Sequence, residues 1–228
     1  MENSTGLSTD HNTSSSSLAG ERSSNVDSAS LSSSSSMSNI LFAEDQMRCW
    51  SHFKKILDNA TTQFNEQSDK HEIDATLPIV ICSFSKGCIV INELCHELTF
   101  LNKADNVELF DNETGRGLFR ELCQFKARVR HLIWLDGGHC GTSNAWIVCK
   151  EVVETIKREN YSCYVYVTPY QMMSSKKWAV EEYKRFVRLM LDANVNMRNE
   201  YLFQDKEEDY DIDVHFDILR EFEIDFLL

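Results

Sequence analysis

The sequence predicts an α/β fold with a mostly parallel sheet and flanking helices. Three short apolar runs, at 79–82, 131–135 and 161–167, have the length of strands and are too short for helices. Stretches with the helical spacing of apolar residues separate them, so strands and helices alternate along the chain. This alternation is typical of parallel strands joined by right-handed helical crossovers.

The first 40 residues fall outside this pattern. They contain serine runs at 14–17 and 32–36 and very few apolar side chains. Such a composition buries too little surface to offset the entropy lost on ordering. We therefore predict a disordered Ser-rich head over residues 1–40 and one α/β domain over residues 41–228.

The first half of the domain is predicted element by element from its apolar spacing. A helix is expected over 43–58, with an inward face of Met47, Trp50, Phe53 and Leu57. A polar linker follows over 59–76. The continuous apolar run at 79–82 indicates a strand buried on both faces. After Gly87 the spacing becomes helical, with Cys88, Ile91, Cys95 and Leu98 on the inner side.

The second half continues the alternation. Helices are expected over 117–128, 146–158 and 178–191, and strands over 131–135 and 161–167. In the last of these helices the inward residues are predicted to be Phe186, Val187, Met190 and Leu191. The alternating segment 195–203 suits a half-buried edge strand.

The composition excludes several classes of function. There are 36 acidic residues against 23 basic ones, a net charge of −13, which disfavours nucleic acid as a partner. No apolar run reaches the roughly 18 residues of a transmembrane helix. The N-terminus has the pattern of neither a secretory signal nor a transit peptide, which leaves the cytoplasm as a possible location.

The eight cysteines show no CxxC spacing. They are expected to be reduced and buried, with Cys82, Cys88 and Cys163 inside apolar runs. The adjacent His139 and Cys140 lack the spacing of metal ligands, so neither a metal nor another cofactor is predicted.

Ser83-Phe84-Ser85-Lys86-Gly87 lies where the first predicted strand gives way to a helix. In a nucleophile elbow, small residues two positions before and after the nucleophile allow a sharp turn at a helix N-terminus. Ser85 is then the candidate nucleophile, and the Lys86 backbone N–H is a candidate oxyanion donor. A serine that caps the helix explains the same position equally well.

A serine nucleophile needs a base and an orienting acid, which follow it in the order acid, histidine in elbow folds. Asp136 comes directly after the strand at 131–135, and His215 is the histidine that follows the last predicted strand. The alternatives are a turn residue at Asp136, before Gly137-Gly138, and a surface histidine beside the acidic run at 205–213.

The motifs Phe84-Ser-Lys-Gly-Cys88, Trp134-Leu-Asp-Gly-Gly-His139 and Val167-Thr-Pro-Tyr-Gln171 resemble one family. It is the mitochondrial α/β-hydrolase-like family whose human member is named for an open reading frame on chromosome 2. The resemblance covers about residues 77–222, with Ser83 in place of the family's glycine. It implies the C-terminal half of an α/β-hydrolase-like fold, a serine-hydrolase site and a mitochondrial location. The earlier strands of that fold are not recognisable in residues 1–76, so we expect an N-terminally truncated domain.

The function predicted on this basis is hydrolysis of an ester, thioester or amide through an acyl-enzyme, with an unspecified acyl substrate. The alternative is a catalytically inactive, hydrolase-like protein that acts through protein partners in mitochondrial homeostasis. Because only the strand at 131–135 is a plausible neighbour for the strand at 79–82, we also expect an open sheet edge that favours aggregation.

Overall fold

The computed structural model describes residues 45–68, 71–138, 145–208 and 211–223. The predicted head over 1–40 and the His139-Cys140 pair therefore lie outside the described residues. The strands are β1 (Ile79–Phe84), β2 (Val129–Leu135), β3 (Ser162–Val167) and β4 (Met197–Tyr201). The helices are α1 (Arg48–Gln67), α2 (Cys88–Leu101), α3 (Glu113–Lys126), α4 (Lys150–Arg158), α5 (Pro169–Met172), α6 (Lys177–Asp192) and α7 (Ile212–Glu221).

The four strands form one parallel sheet in the order β1-β2-β3-β4, which confirms the predicted α/β class. The register pairs Phe84 with Leu135 and Leu135 with Tyr166. The first three strands therefore end at one level, and the residues that follow them meet at the carboxyl edge of the sheet.

Most helices pack on one face of this sheet. Right-handed crossovers between strands that follow one another in one direction place every connecting helix on the same side. The main core accordingly joins residues of α1, α2, α3, α4 and α6 to the strand residues Leu132, Trp134, Cys163 and Val165. The predicted inward residues Cys88, Ile91, Cys95 and Leu98 of α2 are all buried in it.

The opposite face is covered differently. Ile133, Leu135, Tyr164 and Tyr166 form a second, smaller cluster under Ile218 of α7. Towards β1 this cover ends, and Val80 is 39% exposed.

The prediction that β1 is buried on both faces is therefore wrong. Cys82, predicted to be buried, is exposed, whereas Cys88 and Cys163 are buried as expected. A continuous apolar run does not show on which face of the sheet the connecting helices pack. Here they pack on one face, so the other face of β1 is exposed. Within the described residues β1 pairs with β2 alone, and no described strand lies along its other edge.

Two predicted boundaries and one predicted inward residue also differ. The segment 59–76 is not a linker throughout, because α1 continues to Gln67, and no Gly or Pro interrupts it. The helix expected over 146–158 begins at Lys150, and residues 145–147 are buried in irregular backbone instead. Leu191, expected inside, is exposed, because the buried face of α6 runs through Ala179, Tyr183, Phe186 and Met190. None of the described helices is long and apolar enough to cross a membrane.

Candidate active site

Ser85 occupies a strained turn at the carboxyl end of β1. The strand ends at Phe84, a 3₁₀ turn spans Ser85–Gly87, and α2 begins at Cys88. The φ angle of Ser85 is 54°, in the left-handed region that a non-glycine residue adopts only at a cost. The Lys86 N–H lies in the same turn, at a helix N-terminus where the first amides have no intrahelical acceptor.

Close packing below the turn explains how the chain accommodates it. The Ser83 hydroxyl donates to the Ile133 carbonyl at 2.9 Å, which fastens β1 to β2. The Cys88 thiol is buried, and burial raises its pKa to about 12. The thiol is therefore uncharged and fills space below the turn. A Cβ at Gly137 would lie 3.0 Å from the Cβ of Cys88, so glycine at this position allows the turn after β2 to approach the start of α2 closely.

Asp136 follows β2 directly and is fully buried, with an exposed fraction of 0%. Its backbone N–H donates to the Tyr166 carbonyl at 2.9 Å, and its φ angle is 48°. Its Oδ1 accepts from the Thr168 N–H at 2.7 Å. Its Oδ2 accepts from the Thr168 hydroxyl at 2.5 Å and contacts the His215 Nδ1 at 2.8 Å. The carboxylate is thus held by donors from two different parts of the chain.

His215 lies on α7, which begins after Asp211 caps the N–H groups of Asp213 and Val214. The histidine is 3% exposed. Its ring stacks on Phe84, with the ring centroids 4.5 Å apart, and lies 4.9 Å from the Tyr170 ring. Because Phe84 precedes Ser85, this stacking brings the histidine to the strained turn.

The hydrogen-bond geometry assigns the imidazole its tautomer. An ionised carboxylate can only accept, so the Nδ1 of His215 carries the proton that faces Asp136. The Nε2 is then the basic nitrogen, which is the arrangement that a general base requires.

The structure departs from the alternatives weighed for all three residues. His215 is buried rather than a surface residue. The Asp136 carboxylate binds Thr168 and His215 across the sheet edge rather than closing a local turn. For Ser85, the N-cap of α2 is Gly87 and no side chain caps that helix, so the capping explanation fails.

Sequence reasoning missed the residues that hold the acid and the base in place. The sequence indicates Thr168, Phe84 and Tyr170 only as parts of motifs. A signal existed for Thr168, since it follows β3 as Asp136 follows β2, but its role depends on a contact 32 residues away. Among the described residues, no group of three or more acidic, histidine or cysteine side chains is placed to bind a metal ion.

The fold and this site define an α/β protein with a serine, a buried aspartate and a buried histidine at the carboxyl edge of a parallel sheet. The chain belongs to the C2orf69 family, whose model matches residues 4–196. This confirms the family that the sequence motifs indicated.

The chain is similar to three curated members of this family, all named as mitochondrial proteins, as expected from the resemblance. It is 31% identical to the human protein C2orf69 over 63% of this chain and 32% of that protein. It is 31% identical to the mouse (Mus musculus) homologue over 60% of this chain and 33% of that protein. It is 29% identical to the zebrafish (Danio rerio) homologue over 73% of this chain and 44% of that protein. The chain thus spans less than half the length of these relatives. No solved structure matches it.

Proposed function

We propose that this chain is a serine hydrolase of the α/β-hydrolase type that cleaves an ester, thioester or amide in mitochondria. The observation that carries the proposal is the buried hydrogen bond between Asp136 Oδ2 and His215 Nδ1, 2.8 Å long, beside a serine with a φ angle of 54°. The mitochondrial location is proposed from the names of the relatives.

In this mechanism the Ser85 hydroxyl gives its proton to the Nε2 of His215 while its Oγ attacks the carbonyl carbon of the substrate. The carbonyl oxygen becomes an oxyanion, and the Lys86 N–H donates to it. When the tetrahedral intermediate collapses, His215 returns the proton to the leaving group and an acyl-serine remains.

A water molecule then repeats the sequence. It gives a proton to His215, its oxygen attacks the acyl carbon, and the acid product leaves as Ser85 regains its proton. Asp136 stabilises the imidazolium in both halves and keeps the ring in the productive tautomer. Thr168 supports this role, because its two donors hold the carboxylate while His215 changes charge.

The test is ester hydrolysis by the full 228-residue chain and by single variants. Ser85→Ala should abolish hydrolysis of p-nitrophenyl esters. Asp136→Asn should lower the rate about 10⁴-fold, as loss of the orienting acid does in serine proteases. Hydrolysis that persists unchanged in Ser85→Ala would refute the assignment.

One observation favours a second candidate, a hydrolase-like protein that binds protein partners without catalysis. Among the described strands β1 lies at the edge of the sheet, and its Val80 and Cys82 are exposed on the uncovered face. Exposed edge strands are sites of pairing with other chains. This candidate predicts a Ser85 that is unreactive to active-site probes.

A further inference from the structure

Helix α7 carries an apolar surface beside the candidate active site. Its buried side is formed by Val214, His215 and Ile218. Ile212, Phe216 and Leu219 are exposed by 46%, 51% and 45%, and we call these three residues the α7 stripe. The spacing i, i+4, i+7 places them along one side of the helix.

The α7 stripe is continuous with the catalytic residues. Phe216 follows His215, and the centroids of their rings are 5.5 Å apart. The Phe216 ring also lies 5.7 Å from the ring of Phe84, which precedes Ser85. An apolar group that leaves the Ser85 hydroxyl would therefore meet Phe84 and Phe216 first, and then Leu219 or Ile212.

The dimensions and chemistry of the α7 stripe fit a linear hydrocarbon chain. From Phe216 the stripe extends about 5–6 Å along the helix in either direction, which matches the first few carbons of an extended acyl chain. The three side chains offer no hydrogen-bonding group, so they can select for apolar length and not for a polar pattern.

The charges on α7 argue against an acyl chain that ends in an anion. The helix carries the carboxylates of Asp213 and Glu221, whereas Asp217 is paired with Arg220 and Lys206. A phosphate or carboxylate at the far end of the acyl chain meets repulsion from Asp213 or Glu221.

We propose that the α7 stripe binds the acyl chain of the substrate, and that the substrate class is a neutral ester with a linear, medium to long acyl chain. This inference rests on the proposed function, because it takes Ser85 as the nucleophile.

The experiment compares two alkyl fluorophosphonates, an ethyl and a decyl probe, at concentrations below micelle formation. The second-order rate constant for labelling of Ser85 in the full chain is measured by intact mass and peptide mapping. Full burial of one methylene corresponds to about a four-fold gain, and one-sided contact with a stripe to roughly half that free energy, or about two-fold. The decyl probe should therefore react at least about ten-fold faster than the ethyl probe.

Two variants and one control locate the effect. Leu219→Ser or Ile212→Ser, according to the direction in which the chain lies along α7, should lower the decyl-to-ethyl ratio several-fold. Leu191→Ser removes an equally exposed leucine, 57% exposed on α6, and should leave the ratio unchanged. Because a ratio is measured, a general loss of reactivity cancels.

The outcomes separate the two proposals. Failure of both probes to label Ser85 overturns the proposed function and this inference with it. Labelling with a ratio near one, or with a ratio that neither Leu219→Ser nor Ile212→Ser changes, overturns only the acyl-chain inference. If the wild-type chain sediments as a dimer that Leu219→Ser dissociates, with no change in the ratio, the stripe is an interface between copies instead.

Discussion

Removal of the Thr168 hydroxyl tests the network that holds the acid. In Thr168→Val the shape of the side chain is kept, but Asp136 Oδ2 loses a donor at 2.5 Å. Both residues have an exposed fraction of 0%, so no bulk water is in place to replace the lost donor. A hydrogen bond to a charged group contributes about 1.5–3 kcal/mol, so the free energy of unfolding should fall by about 2 kcal/mol. For a chain of this size the unfolding midpoint should fall by about 4–8 °C.

A matched variant and a double-mutant cycle isolate this bond. Thr168→Ser keeps the hydroxyl and loses only a methyl group, at a cost of about 1 kcal/mol. In an Asp136→Asn background, Thr168→Val should cost at least about 1 kcal/mol less than in the wild type, because the charged acceptor is gone. The assay is urea unfolding followed by tryptophan fluorescence. The reasoning is refuted if valine costs no more than serine, or if the two changes add.

Two further predictions concern the exposure of side chains on the sheet and around it. In the native chain, maleimide should modify Cys149 within minutes and Cys82 more slowly, as followed by mass spectrometry, because both are exposed but partial burial raises the pKa of the Cys82 thiol. Maleimide should not modify the buried Cys88, Cys95 and Cys163 until the chain unfolds. Burial hides these thiols from the reagent and raises the pKa of each. Modification of any of the three in the native chain would contradict the described packing. Val80→Lys should reduce aggregation and the binding of a hydrophobic dye while changing the free energy of unfolding by less than about 0.5 kcal/mol, since it adds charge to the exposed face of the edge strand. A loss of more than about 2 kcal/mol would show that Val80 is covered.

The sequence predicts the positions of Ser85 and Asp136 well because each follows a strand that its apolar run identifies. Parallel strands end at a common edge, so two residues directly after neighbouring strands are close without any knowledge of packing. His215 was inferred from chain order alone. The helix that carries it was not predicted, and its contact with Asp136 spans 79 residues.

Burial on the two faces of the sheet was harder to predict. An apolar run such as Ile79–Phe84 indicates a strand but not which neighbours cover it. The direction of the crossovers decides that all connecting helices lie on one side, which leaves Val80 and Cys82 exposed. The hydrogen bonds from Thr168 to Asp136 could not be predicted from the sequence either, because a threonine after a strand is also typical of a turn.

The most direct test of the central claim is the reaction of the full 228-residue chain with a fluorophosphonate probe, quantified by intact mass and located by peptide mapping. The account predicts one adduct per chain, on Ser85, that is lost in Ser85→Ala. It should persist in Ser83→Ala, the neighbouring serine whose hydroxyl is bound to the Ile133 carbonyl. A chain that remains unlabelled while it unfolds cooperatively, or an adduct that survives Ser85→Ala, would contradict the claim that Ser85, Asp136 and His215 form a catalytic site.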